Sequence, residues 1–256
     1  GENRLTLIPP TLFRLEFAHD GKFIDAPTYF AYGRSNLLPA TEFKVRALGD
    51  NRYEITTSAL RIVYEHDGFP FGLHNFAAYY TLNGKEKKFT NRCIFRNNLG
   101  GPIETLDRVT GEIPMHDGLL SRDGWYVIDD ERSDLLIDGW LAPRDTKSHV
   151  QDQYGFVYGN DYRAALADRG AISGHVPMTR KYIHGVWYCR YWDYTSEEFL
   201  SIIDGYEEND FPLDNLVFDM GWHTYDAQIG TGHAGSRSWT GYTWDRTRIP
   251  DPGALI

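Results

Sequence analysis

The chain has 256 residues, 41% of them hydrophobic, which allows one large domain or a domain plus part of another and argues against disorder. A net charge of −10 without a clustered run of Lys and Arg argues against a nucleic-acid partner. No apolar run approaches the roughly 18 residues needed to span a bilayer, so no membrane partner is expected. The first residues show neither the basic nor the apolar part of a signal peptide, and the compartment is left open.

Aromatic residues make up 15%, including 17 Tyr and 7 Trp. Most such rings belong in cores, although flat aromatic faces also suit a glycan ligand. Cys93 and Cys189 lie far apart without metal-type spacing, so they read as free thiols, and no metal or other cofactor is implied.

From Arg4 to about Gly159 the pattern is one of strands and turns. Leu5 to Leu7 and Leu12 to Phe17 alternate with period two, as half-buried strands do. Phe43 to Leu48, the turn Gly49-Asp50-Asn51, and Tyr53 to Ile55 predict a hairpin. Ala77 to Leu82 followed by Asn83-Gly84 predicts another, because that dipeptide suits a primed turn. Trp125 to Ile128 and Leu135 to Ile137 are predicted to form a third strand pair. Many short strands between turn signals predict a β-sandwich. A first helix is expected over Asp161 to Asp168, capped by Asp161 and ended by Gly170 and Gly174.

After Pro177 the pattern changes. Ile183 to Cys189 is an apolar run of strand length. Thr195-Ser196-Glu197-Glu198 is a capping box, followed by Phe199, Ile202, Ile203 and Tyr206 on one helical face. Pro212 stops that register, and Leu213 with Leu216 to Phe218 predicts a second buried strand ending at Asp219. Strand, helix and strand make a βαβ unit, which needs further strands at its edges. Asp251 and Pro252 open one more helix, of which only Gly253 to Ile256 follow, so a larger protein is expected.

In a (β/α) barrel the active site lies at the carboxyl ends of the strands, here Arg190 to Asp193 and Asp219 to His223. A carboxylate directly after a buried strand is costly without a partner. A pair of substrate hydroxyls would serve Asp219, and so would an arginine or a helix N-terminus. His223 has no partner at metal-ligand spacing.

Gly185 to Trp192 and Phe211 to His223 resemble the first and second barrel strands of glycoside hydrolase family 31. Trp239 to Asp245 and Ile249-Pro-Asp-Pro252 resemble the stretch that follows in many members. Asn98 to Gly101, Thr105-Leu-Asp107 and Gly118 to Trp125 resemble the family's amino-terminal domain. The resemblance implies a mainly β chain: a galactose-mutarotase-like β-sandwich over residues 1–178, then the first βαβ unit of a truncated (β/α)8 TIM barrel over residues 179–256. It implies a retaining α-glycosidase acting on oligosaccharides with a terminal α-linked glucose or xylose, with Asp219 holding sugar hydroxyls and Tyr191 and Met220 lining the same subsite. Asp107 and Asp123 are candidates for a polar contact from the amino-terminal domain, and Trp222 and His223 for a layer behind the site.

A retaining glycosidase needs two carboxyl groups about 5 Å apart. In the family these follow later barrel strands, and neither Asp219, Asp214 nor Asp226 is assigned to those roles. The chain alone is therefore expected to be inactive, and no catalytic residue is named. The alternative is a non-catalytic carbohydrate-binding module; a fragment completed by a partner chain, and homo-oligomerisation, are left open.

Overall fold

A computed structural model describes residues 1–34, 41–89, 91, 97–103, 109–224 and 241–256. The chain divides into two compact units, Gly1–Val176 and Pro177–Ile256. Among the described residues no helix is long and apolar enough to cross a membrane.

The first unit is built from two antiparallel sheets. One has four strands in the order β1 (Glu2–Leu7), β2 (Leu12–Ala18), β11 (His149–Val157), β8 (Trp125–Asp129). The other is a meander of β3 (Lys44–Gly49), β4 (Arg52–Thr56), β5 (Arg61–Glu65), β6 (Phe76–Leu82) and β7 (Lys85–Phe89). The sheets share one core. Phe13 and Leu15 of β2 and Val157 of β11 meet Ile62, Phe76, Ala78, Tyr80 and Phe89 of the meander. The rings of Phe13, Phe76 and Phe89 lie 5.6–6.5 Å apart in tilted or edge-on contacts. The predicted hairpins form as expected. Asn83 and Gly84 have φ of 53° and 72°, the positive values that a primed turn requires.

β2 departs from the half-buried strand that its alternation predicts, because both its faces are buried. Its even-numbered side chains, Leu12, Arg14 and Glu16, lie beneath a second layer. That layer contains the loop from Asp20 to Arg34, α1 (Tyr162–Ser173), and the hairpin of β9 (Leu135–Ile137) and β10 (Trp140–Ala142). Leu12 joins Ala31, Tyr154, Phe156, Ala165 and Ile172 in a second core. The two charged residues are neutralised in place. Arg14 donates to Asp152 from Nε at 2.7 Å and Nη2 at 2.8 Å, and Glu16 receives Arg4 and Arg14. Arg144 reaches Asp152 at 2.5 Å and the carbonyl of Asp130 at 2.6 Å. Arg34 bonds Asp130 and the Tyr154 hydroxyl. Such groups can leave water only because each charge meets its opposite at hydrogen-bond distance.

The third predicted pair is not formed. β8 pairs with β11, and β9 pairs with β10 and with Thr28. Asp130 is the cause: it is fully buried, its carboxylate takes the Thr28 hydroxyl and Arg34, and so the chain leaves the sheet after β8. α1 is capped by Asp161, whose carboxylate accepts from Ala164 N at 3.0 Å, as expected. It passes through Gly170 and stops only at Gly174. A mid-helix glycine costs about 1 kcal/mol, and the full burial of Ile172 beyond it offsets that.

In the second unit a short 3₁₀ turn (Lys181–His184) precedes β12 (Trp187–Tyr188), then α2 (Ser196–Glu208), β13 (Asn215–Leu216) and the one-turn α3 (Pro252–Leu255). β12 and β13 are parallel neighbours, so the strand–helix–strand unit is present with a two-residue ladder shorter than the apolar runs predict. The Asp214 carboxylate accepts from Val186 N at 2.8 Å and closes the start of β12 in place of a strand bond. The capping box on α2 is complete in both directions, and Phe199 is buried with Tyr194 and Ile249.

Candidate functional site

The carboxyl ends of β12 and β13 carry the polar and aromatic groups singled out from the sequence. Leu216 and Phe218 pack into the core under α2, the ring of Phe218 lying 4.4 Å from that of Phe199. With a period of two, Val217 and Asp219 turn to the opposite face. Tyr188 likewise belongs to the core, so Cys189 shares the face of Asp219. The Cys189 thiol agrees with this placement, because what burial it has and the nearby Asp219 charge both push it up.

Asp219 is half-buried, and among the described residues its carboxylate has no hydrogen-bond or ion-pair partner. Met220 beside it is 4% exposed and forms a parallel bridge to Asp193. Tyr188 pairs with Leu216 but Asp193 with Met220, so the first strand spends one residue more than the second between these points. The two chains are therefore out of step by one residue where they meet again at the bridge. In the longer connection, Cys189 to Trp192, Tyr191 is 65% exposed and Arg190 covers Trp192 at 4.8 Å from the ring centroid.

The far wall is a return segment. His223 bridges to Trp244, Thr224 N donates to Thr243 O at 2.9 Å, and Asp245 N to Trp222 O at 2.9 Å. His223 is 2% exposed with its Nδ1 on the Thr224 carbonyl, a structural post. A Cβ on Gly241 would come within 2.2 Å of His223 Nδ1, so the return strand approaches closely only through a glycine. Trp222 stacks edge-on against Trp244 at 5.0 Å.

Asp107 and Asp226, like Cys93 and Trp239, fall outside the described residues. Asp123 belongs to the first unit, where its carboxylate accepts from Asn97 at 2.8 Å and its backbone from the Tyr80 hydroxyl at 2.6 Å, which is the work of a turn residue. Glu16, His149 and Asp152 offer three potential metal-ligand atoms within 4.8 Å of one another. Arg4, Arg14, Arg34 and Arg144 already hold the oxygens of the two carboxylates, and so many guanidiniums would repel a cation. Two residues were missed from the sequence: Cys189 beside Asp219, and Arg248, whose guanidinium reaches Asp193. The strand period could have found the first; nothing local points to the second.

Residues 176–256 match the model of the Glycosyl hydrolases family 31 TIM-barrel domain. Alpha-xylosidase XylQ of Lactiplantibacillus pentosus is 29% identical over 106 residues, 41% of this chain and 12% of that protein. A 1,6-alpha-glucosyltransferase of Sporosarcina globispora is 24% identical over 134 residues, 52% of this chain and 10% of its own length. Among solved structures, a Flavobacterium johnsoniae GH31 dextranase complexed with isomaltotriose superposes with a TM-score of 0.60 at 17% identity, covering 98% of this chain and 34% of that one. A GH31 alpha-xylosidase from a soil metagenome, complexed with xylose, gives 0.55 at 14% identity over 99% of this chain and 42% of its own. At such identities the superpositions show a shared fold. The chain thus spans about a tenth of the curated relatives' length and about a third to two fifths of these structures, and the resemblance read from the sequence holds.

Proposed function

We propose that this chain, a relative of glycoside hydrolase family 31, forms the sugar-holding side of the active site of a retaining α-glycosidase. Its substrates are oligosaccharides ending in α-linked glucose or xylose. One observation carries the reading: a half-buried carboxylate, Asp219, stands at the carboxyl end of a parallel strand, on the face away from the helix, without a partner among the described residues. An ionised carboxylate offers two oxygens as acceptors, which fits two neighbouring hydroxyls of a pyranose ring. The exposed ring of Tyr191 gives such a sugar an apolar wall, and buried Met220 backs it. The relatives' names, an α-xylosidase and an α-glucosyltransferase, favour an α-linked sugar.

In this reading Asp219 takes no part in bond cleavage. It holds hydroxyls whose hydrogen bonds strengthen as the ring flattens toward an oxocarbenium ion, and the nucleophile and acid/base come from outside these residues. Turnover of p-nitrophenyl α-glucoside and α-xyloside by the full-length enzyme that carries this segment tests it. Asp219→Asn should lower kcat/KM by about 100-fold or more, roughly 3 kcal/mol of transition-state binding. The 256-residue chain alone should show no turnover. Near wild-type activity of the variant would remove Asp219 from the subsite.

A further inference from the structure

Asp219 sits between two anchors of different kinds. On its amino-terminal side Phe218 is locked into the core against Phe199 and Trp244. On its carboxyl-terminal side come Met220 and then Gly221, whose φ of 74° makes a joint with little intrinsic stiffness. What holds that joint is Asp193. Its backbone bridges Met220, and its Oδ1 lies so close to Gly221 that a Cβ there would come within 2.7 Å of it.

Asp193 is in turn held from the return segment. Arg248 donates from Nη1 to the Asp193 carbonyl at 3.1 Å, while Nη2 stands 3.5 Å from Asp193 Oδ2. The carbonyl of Arg248 accepts from Ser196 N at the first turn of α2. Arg248 leaves a stiff turn, because Asp245 accepts both the Thr247 amide and hydroxyl and Ile249 is fully buried. The planar fork addresses the carbonyl and the same residue's carboxylate from two separate nitrogens held in a fixed plane, whereas an ammonium must reach both from a single nitrogen on a flexible stem.

We propose that Arg248 is a positioning residue: through Asp193 it fixes the Met220–Gly221 backbone and so the place of the Asp219 carboxylate. The inference rests on the sugar-holding reading of Asp219. Arg248 touches no sugar. It adds a hold on the carboxyl-terminal side of Asp219, where Gly221 forms the joint, and a small displacement of a group that must meet two hydroxyls is costly.

The test uses the 256-residue chain with two readouts. The first is binding of methyl α-D-glucoside and methyl α-D-xyloside followed by saturation-transfer NMR. The second is the pH profile of Cys189 alkylation by iodoacetamide, read on the Cys189 peptide by mass spectrometry; the rate follows the thiolate and so senses how near the Asp219 charge stands. Asp219→Asn should weaken binding and shift the alkylation profile to lower pH. Arg248→Met should do both while Asp219 is still present, with binding about tenfold weaker and unchanged far-UV circular dichroism. Arg248→Lys should fall between. If Arg248→Met does not fold, Asp193→Asn, which keeps the carbonyl contact, carries the same comparison. If Asp219→Asn shifts both readouts and the Arg248 and Asp193 variants shift neither, the positioning role is overturned. If Asp219→Asn changes neither, the sugar-holding reading fails first and the inference with it.

Discussion

Asp152 is the strongest single test of how the first unit is held together. It is fully buried, and three guanidiniums converge on its carboxylate: Arg14 through two bonds at 2.7 and 2.8 Å, Arg144 at 2.5 Å and Arg34 at 3.0 Å. Arg14, Arg34 and Arg144 balance Glu16, Asp130 and Asp152, and Asp152→Asn leaves this set with one uncompensated buried positive charge at nearly unchanged volume. Breaking a buried pair in this way costs about 3–5 kcal/mol. Amide hydrogen exchange of β11 by mass spectrometry isolates the first unit, which a single melting curve of a two-unit chain does not. Protection of β11 should fall by that amount, and Arg144→Met in the same molecule should restore part of it by rebalancing the charge. A loss below about 1 kcal/mol in the single variant would mean that the network contributes shape and not electrostatics.

The same residue has a pH signature. Burial pushes its carboxyl up, but the hydrogen bonds from Arg14 and the charges of Arg14, Arg34 and Arg144 outweigh burial and hold it well below the usual carboxylate range. A depressed folded pKa means the ionised form is favoured by folding. This contribution is fully present above the unfolded value of about 3.9 and is lost as pH falls below it. Asp130 acts in the opposite direction, because burial raises its carboxyl and favours the protonated form in the folded state. The part of the acid sensitivity of β11 that disappears in Asp152→Asn therefore belongs to Asp152.

Two smaller perturbations test packing and capping. Gly155→Ala would place a Cβ 2.4 Å from the ring of Phe13, so overpacking should destabilise the first unit by about 1–3 kcal/mol in urea denaturation, and less than additively when combined with Phe13→Leu; a neutral alanine would contradict the contact. Thr195→Ala removes the acceptor for Glu198 N and should speed amide exchange over residues 196–199 by about 1 kcal/mol of local stability while the first unit is unaffected, and unchanged exchange there would deny the cap its role.

The features legible in the sequence are those written locally. The Thr195 to Glu198 box and the Asn83-Gly84 turn depend on neighbours within a few residues, and both form as their chemistry demands. The hairpin of β9 and β10 was equally local: Asp138-Gly139 takes φ of 51° and 82°, a primed-turn signal that the third strand pair had obscured. The pairing of β8 with β11 was not legible, since it depends on Asp130 reaching back to Thr28 and Arg34, about a hundred residues away in the chain. The burial of Arg14 and Glu16 was hidden for the same reason. An alternating strand with charges on one face reads as solvent-facing until the partners that neutralise those charges are known. At the strand ends the apolar runs gave the positions of β12, β13 and Asp219, but the one-residue offset between Tyr188–Leu216 and Asp193–Met220 arises only from the pairing of the two segments.

That distinction also separates the acidic residues by how the fold engages them. The chain has 36 of them, and their sequence contexts look alike. Asp152 and Glu16 are saturated by arginines, while Asp214 at the start of β12 and Asp123 and Asp245 in turns each accept at least one hydrogen bond from the fold. Asp219 differs in being partly sheltered and having no partner among the described residues, which is what makes it the candidate for a ligand contact in the proposed reading. In the proposed reading a hydroxyl-rich ligand would supply donors to Asp219, and burial together with the nearby Asp219 charge pushes the neighbouring Cys189 thiol up, away from the thiolate that a metal would need. The proposed sugar-holding role of Asp219 thus rests on what surrounds it, and not on the aspartate itself.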